Sequence, residues 1–315
     1  MKPPAQELDW GERLEPALLL SAVGLGLVLA RAAPELAGQA ERAIPPALVL
    51  VLFAVFYRVP LERLRAAFGH RRYFAAALGL NFLLTPLVAY GLGWLFLRDY
   101  PALWVGLVLV LVTPCTDWYL VFTALARGDV PLNLALLPWN LVLQLVLLPF
   151  YLYVFTQRLV PVDFAVVGHS LLLYVFLPLA SAQALRRLFA AEAAERRVVF
   201  LQYAALTALI AAMFAHQGRL LWEQPQVLLR FLPPVGLFFV LSALAAVAVG
   251  HRLDFSAPTR ASLASTACAR NSPLTLSLAL VLFPAHPLVA VTQVIEPLVE
   301  LPLLILLAAW LRRNR

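Results

Sequence analysis

The sequence predicts an all-α integral membrane protein of ten transmembrane helices. Three observations predict it. The chain is 63% hydrophobic and only 13% charged, against about 45–50% and about 25% in a soluble domain. Its apolar residues fall in runs of roughly 20, the length of helix that crosses a hydrocarbon core. Its charges collect in short stretches between those runs. With a mean hydropathy of +0.85, such a chain has to turn apolar surface toward lipid. The net charge of +7 is not a nucleic-acid footprint, because basic residues in short loops orient membrane helices.

The elements follow in order. Met1 to Glu15 is polar and carries Glu7, Asp9, Glu12 and Glu15. It lacks a basic flank leading into a short apolar run, so the first apolar helix is expected to insert and stay. Apolar runs then place spans at about 16–33, 43–60, 73–97, 101–127, 131–156, 162–188, 197–216, 226–250, 258–284 and 286–311. Residues 1–315 read as one membrane domain. Charged punctuation is clearest from Arg58 to Arg72 and from Arg186 to Arg197.

On that map one side holds Lys2, Arg13, Arg58, Arg63, Arg65, Arg71, Arg72, Arg127, Arg186, Arg187, Arg196, Arg197, Arg252, Arg260, Arg312, Arg313 and Arg315. The other holds Arg31, Arg42, Arg98, Arg158, Arg219 and Arg230. The bias puts both termini in the cytoplasm, in a multi-pass protein of the cell membrane. Trp10, Trp94, Trp104, Trp222 and Trp310 fall near predicted interfaces, where amphipathic rings settle.

Shifting the second half onto the first by 156 residues superimposes the span pattern. Span 4 covers span 9, and span 5 covers span 10. Cys115 falls on Asn271, Thr116 on Ser272, Asn140 on Glu296 and Gln144 on Glu300. Five spans per half reverse the second copy. The expectation is an inverted repeat, with repeat one at about 16–156 and repeat two at about 162–311, the build of many secondary transporters.

Spans 4 and 9 each carry a helix break at mid-segment, Thr113-Pro114-Cys115-Thr116-Asp117 and Ala269-Arg270-Asn271-Ser272-Pro273. Proline removes a donor and clashes with the preceding turn. The freed backbone groups need partners that lipid does not offer. A kinked, packed helix is the bland alternative. Two breaks at matching places, each beside polar residues, favour a solute site made of Cys115, Thr116, Asp117, Arg270, Asn271 and Ser272, to which the resemblance given below adds Asn140.

Asp117, Arg270, Glu296 and Glu300 are ionisable residues deep in apolar runs. A charge at the bilayer centre costs about 2.5–3.5 kcal/mol on insertion scales, so they should face the interior. Glu296 and Glu300 are four residues apart and stack on one helical face. Two close carboxylates rarely ionise together in a low dielectric, which makes the pair a candidate proton carrier. The competing reading is a structural set in which Arg270 neutralises one glutamate. His169 and His216 lie near span ends and receive no role. The two cysteines, Cys115 and Cys268, are too few for a disulfide framework.

The stretch from Thr113 to Asp129 resembles span 4 of the arsenical-resistance (arsenite) permease family, within the bile acid/sodium symporter superfamily. Asn140 matches that family's span 5 asparagine. Glu296-Pro-Leu-Val-Glu300-Leu-Pro302 resembles its span 10 signature. The resemblance covers nearly the whole chain in span plan and is specific around residues 112–144 and 265–303. It implies ten helices in two inverted five-helix repeats, with broken helices 4 and 9 crossing. It also implies proton-coupled arsenite efflux, with the essential cysteine at Cys115 and the span 10 glutamate at Glu300. Soft thiolate ligands suit a soft, thiophilic centre.

The chain departs from the pattern at span 9. Sodium-coupled relatives place Glu and Gln around that break, where this chain has Thr266 and Arg270. A cation seated there should repel sodium. A guanidinium also recognises carboxylates and oxyanions, so a carrier of an organic anion bound through Arg270 stands as the alternative. Cys268 lies just before the span 9 break and could join Cys115 as a second As(III) ligand; a small buried apolar side chain is the other reading. No Ser/His/Asp constellation, metal-ligand cluster or phosphate-binding glycine loop points to an enzyme or to a cofactor. The expected partners are membrane lipid, a small solute and protons, and no nucleic acid.

Overall fold

A computed structural model describes residues 10–59, 61, 69–116, 118–157, 159–160, 176–188, 192–223 and 225–313. Most of the segment linking the second and third predicted spans, the first part of predicted span 6 with His169, and Asp117 lie outside the described residues. Among the described residues every regular element is helical apart from one two-residue bridge.

In chain order the helices are α1 (Trp10–Ala32), α2 (Pro34–Gln39), α3 (Ile44–Arg58), α4 (Arg71–Gly79), α5 (Thr85–Phe96), α6 (Pro101–Leu111), α7 (Trp118–Leu125) and α8 (Val130–Tyr151). They continue with α9 (Leu177–Leu188), α10 (Glu192–Glu223), α11 (Pro225–Arg252), α12 (Ala257–Cys268), α13 (Ser272–Leu282) and α14 (Pro287–Arg313). Among the described residues five stretches are long and apolar enough by themselves to cross a membrane: Arg71–Phe96, Val130–Thr156, Arg196–His216, Leu229–Arg252 and Pro287–Arg313. Shorter apolar helices lie at Ser21–Ala32, Pro46–Arg58, Pro101–Leu111 and Ser272–Leu282. Large apolar side chains such as Leu83, Leu87, Val146 and Leu306 are exposed, as a lipid-facing surface requires.

The chain divides into two compact units, and each draws on both halves of the sequence. One combines residues 1–58 with 173–224, and the other combines 59–172 with 225–315. In the first unit α1 and α3 pack along α10, and α9 packs on α3. Gly26 allows the α1–α10 approach, since a Cβ there would stand 2.6 Å from the Ala211 carbonyl oxygen. The side-chain amide of Gln183 donates to the Phe56 carbonyl at 2.6 Å. That satisfies one of the orphan acceptors at the end of α3.

The second unit contains the candidate site. Its helices start where the sequence supplies caps. Asp129 accepts from the Leu132 amide at the head of α8, Ser256 from Thr259 at α12, and Asn271 from Leu274 at α13. In each case a proline follows in the first turn, where a missing N–H costs nothing. Between α4 and α5 the helix widens into a π turn over Leu80–Leu84. Pro86 has no N–H for the Phe82 carbonyl four residues back. The Tyr151 hydroxyl of α8 takes that carbonyl instead, at 2.6 Å. The wide turn brings the side chain of Asn81 into the core, fully buried.

A second polar cluster ties α4, α7, α8 and α12 together. Asn133 accepts a short hydrogen bond from the Tyr73 hydroxyl. It donates to Thr123 at 2.7 Å and to the Ser262 carbonyl at 3.0 Å. Trp104, expected at an interface, is buried, with Gly93 leaving no room for a Cβ against its ring; Trp94 and Trp310 are exposed.

Candidate functional site

The two helix breaks meet. Residues 112–116 follow α6 ahead of α7, and residues 269–271 separate α12 from α13. Pro114 and Arg270 form an antiparallel bridge. It is held by the Cys115 amide donating to the Ala269 carbonyl at 3.0 Å and the Asn271 amide donating to the Thr113 carbonyl at 2.9 Å. These bonds flank the bridged pair. Pro114, which has no N–H, therefore sits where no donor is needed. Arg270 has its own N–H left over, and this donates outward to Glu300 Oε1 on α14 at 2.8 Å.

The two breaks are bounded by four helix ends. α6 and α12 finish at the breaks and α7 and α13 begin beyond them, so each break offers one negative and one positive dipole end. The Arg270 guanidinium answers the negative ends. Its Nη1 donates to the Leu111 carbonyl at 2.9 Å, the last residue of α6. Its Nη2 donates to Ala267 at 2.6 Å, to Thr266 at 3.2 Å and to Asn81 Oδ1 at 3.4 Å. Its Nε donates to Cys268 at 3.2 Å. The Phe238 ring lies 5.3 Å from its central carbon, a cation–π distance. Arg270 is 2% exposed. The guanidinium thus turns to carbonyls, and it is the backbone N–H of Arg270 that reaches Glu300.

Glu296 and Glu300 are both buried on α14 and lie one turn apart. The Ser272 hydroxyl donates to Glu296 Oε2 at 2.5 Å, while Glu296 Oε1 is buried without a hydrogen-bond partner. The two carboxyls act on each other, and both feel the charge of Arg270. Asn271 caps α13 through its side-chain oxygen and donates through its amide to Thr116 Oγ1 at 3.1 Å. Asn140 accepts from Asn81 at 3.3 Å and donates to Thr266 Oγ1 at 3.3 Å. Cys115 is 4% exposed within the unwound stretch. The Cys268 thiol is directed at the Phe239 carbonyl on α11, at 3.9 Å. His216 is exposed.

Of the residues singled out in the sequence, the structure brings Cys115, Thr116, Asn140, Arg270, Asn271, Ser272, Glu296 and Glu300 into one hydrogen-bonded region. Asp117 lies outside the described residues. Asn81 belongs with them, and Gln293 and Gln144 lie about one turn from Glu296 on α14 and from Asn140 on α8. Asn81 joins Asn140, Thr266 and Arg270, and its signal was a lone amide five residues before a proline in an apolar span. Gln293 donates to the Gly106 carbonyl at 3.0 Å and keeps a buried, unpartnered oxygen. Gln144 is buried with neither amide atom partnered. On the 156-residue offset Gln144 corresponds to Glu300, and Pro114 to Arg270. Glu300 receives the Arg270 N–H, whereas Pro114 has none to give.

Comparison with known proteins adds two kinds of finding. A family model described as the Sodium Bile acid symporter family matches residues 45–224. An arsenical-resistance protein Acr3 of Corynebacterium glutamicum is 24% identical over 318 aligned residues, covering 92% of this chain and 85% of that protein. The uncharacterized protein YbaS of Bacillus subtilis is 27% identical over 163 residues, 52% of each chain.

Proposed function

This chain belongs to the Sodium Bile acid symporter family and is a membrane transporter, not an enzyme; on that premise we propose that it exports arsenite or a related trivalent metalloid in exchange for protons. We read its span plan as ten crossings in two inverted five-helix halves, with both termini in the cytoplasm.

One observation carries the reading. The Cys115 thiol and the Glu300 carboxylate are attached to the same bridge, one through the Cys115 amide and the other through the Arg270 amide. A thiol can exchange with a hydroxyl of arsenous acid, forming As–S and releasing water. Hydrolysis reverses the step. The neutral solute brings no charge into the low dielectric. A soft sulfur donor selects it over hard oxygen-seeking ions. Thr116, Asn271 and Ser272 bring hydroxyl and amide groups to the two breaks. Asp117 is their sequence neighbour. Gln144 supplies buried amide atoms with no other partner.

Coupling follows from the carboxylates. An ionised Glu300 accepts the Arg270 N–H strongly, because charge-assisted hydrogen bonds are about twice as strong as neutral ones. A proton arriving at Glu300 weakens that bond and loosens the bridge that carries Cys115. Glu296, with one oxygen unpartnered, is the group through which a proton is passed on. Alternating occupation by solute and proton then gives exchange. The Corynebacterium relative, by its name an arsenical-resistance protein, supports the choice of cargo.

The alternative, an organic anion held by Arg270, has less support. All three guanidinium nitrogens already donate to carbonyl oxygens, so a carboxylate would have to displace them. Expression should rescue an arsenite-sensitive host, and Cys115→Ser should abolish the rescue. Inverted vesicles should accumulate arsenite under a proton gradient. Loss of organic-anion flux in Arg270→Ala, with arsenite efflux absent from the unaltered protein, would overturn the assignment.

A further inference from the structure

The family name implies a sodium ion, and the residues of this chain do not fit one at the crossing. Five neutral oxygens converge there: the carbonyls of Leu111, Thr266, Ala267 and Cys268 and the side-chain oxygen of Asn81. Carbonyl groups at the C-terminal ends of broken helices are the ligands that membrane proteins use for monovalent cations. Here each of the five lies between 2.6 and 3.4 Å from a nitrogen of one guanidinium. The cage is already filled by a positive charge that is covalently part of the chain.

We propose that Arg270 is a resident substitute for a coupling cation, and that the cage it fills is a monovalent-cation site that opens when its side chain is removed. Two helix C-termini present negative dipole ends to a water-poor interior, and no carboxylate stands among the five oxygens. One unit of positive charge balances such a cage; a divalent ion would require carboxylate ligands. A free ion would have to enter and leave for the site to support coupling. A guanidinium fixed at residue 270 cannot leave, so the crossing is held in its cation-bound form permanently. The protein therefore gains the stabilisation that sodium would give without depending on sodium. This conclusion does not rest on the identity of the cargo.

The test is the thermal stability of the purified, full-length protein in detergent, titrated with sodium chloride against choline chloride at matched ionic strength. The unaltered protein and Arg270→Lys should melt at the same temperature in both salts. Arg270→Ala should melt lower in choline and rise saturably with sodium, following the linkage expected of a ligand bound only by the folded state. Sodium stabilisation of the unaltered protein would overturn the proposal. So would a folded Arg270→Ala protein with equal melting in sodium, potassium and choline. If Arg270→Ala cannot be recovered in any salt, Arg270→Lys decides. Recovery at the unaltered level supports a required positive charge in the cage, and its loss alongside Arg270→Ala refutes it. Arsenite is absent from every arm, so failure here is distinct from failure of the efflux assignment.

Discussion

Replacing Glu300 in two ways separates its structural role from its proposed part in coupling. Glu300 Oε1 accepts the Arg270 backbone N–H at 2.8 Å, fully inside the protein. Glu300→Leu fills the volume with an apolar group and leaves that N–H without a partner. A buried donor stranded in this way costs about 1–3 kcal/mol. That loss lies above the roughly 0.6 kcal/mol average for side-chain hydrogen bonds between membrane helices. Glu300→Gln keeps an oxygen in the same place. It keeps an acceptor for the Arg270 N–H, so the loss is about 1 kcal/mol or less. Thermal unfolding in detergent should therefore rank the unaltered protein first, Glu300→Gln close behind and Glu300→Leu well below. Efflux in vesicles should rank differently. Both variants should lose proton-driven arsenite transport, because neither can carry a proton. Equal destabilisation by Gln and Leu would refute the hydrogen bond as the source of support. Unimpaired proton-driven efflux by a well-folded Glu300→Gln protein would refute the carboxylate as the coupling group.

Other expectations follow from the same packing. Tyr151→Phe should destabilise the second unit by about 1–2 kcal/mol, because it strands the Phe82 carbonyl that Pro86 cannot engage; unfolding in detergent reads the loss, and an unchanged midpoint would count against it. Gly106→Ala should cost about 1–3 kcal/mol by driving a methyl into Thr292, and adding Thr292→Ala should recover most of the melting temperature. Asn133→Leu should lower stability more than Thr123→Ala, since Asn133 alone joins Tyr73, Thr123 and Ser262; equal melting of the two variants would show that the cluster adds nothing.

Much of this fold was open to reading because the bilayer leaves few choices. Apolar runs of about 20 residues have to become helices; a proline beside polar residues marks a break at some positions and not at others, since Pro297 next to Glu296 stays inside continuous α14. Pro114 and Pro273 located the two interruptions, and the offset of 156 residues predicted that they correspond. The direction of Arg270 was not legible. Its sequence neighbours offered Glu296 and Glu300 as partners, and the pairing of a guanidinium with a carboxylate was the natural expectation. What turned it away was the arrival of the α6 carboxyl end, set by a contact 159 residues distant in sequence. The role of Asn81 was hidden for the same reason, because a π turn forced by Pro86 aims the amide and nothing local in the pattern shows where. The division into two units was also invisible in the chain order. Each unit is assembled from both halves, so no composition shift or linker marks the boundary. Cys268 reads equally as ligand or packing in the sequence, and its thiol is directed toward the Phe239 carbonyl.

The account stands most directly on the Cys115 thiol as the atom that binds the cargo. X-ray absorption at the arsenic edge, on purified protein loaded with arsenite, measures that bond. The unaltered protein should show sulfur in the first coordination shell of arsenic, and Cys115→Ser should show oxygen alone. A spectrum that keeps its sulfur neighbour in Cys115→Ser, or that never shows one in the unaltered protein, would contradict the assignment.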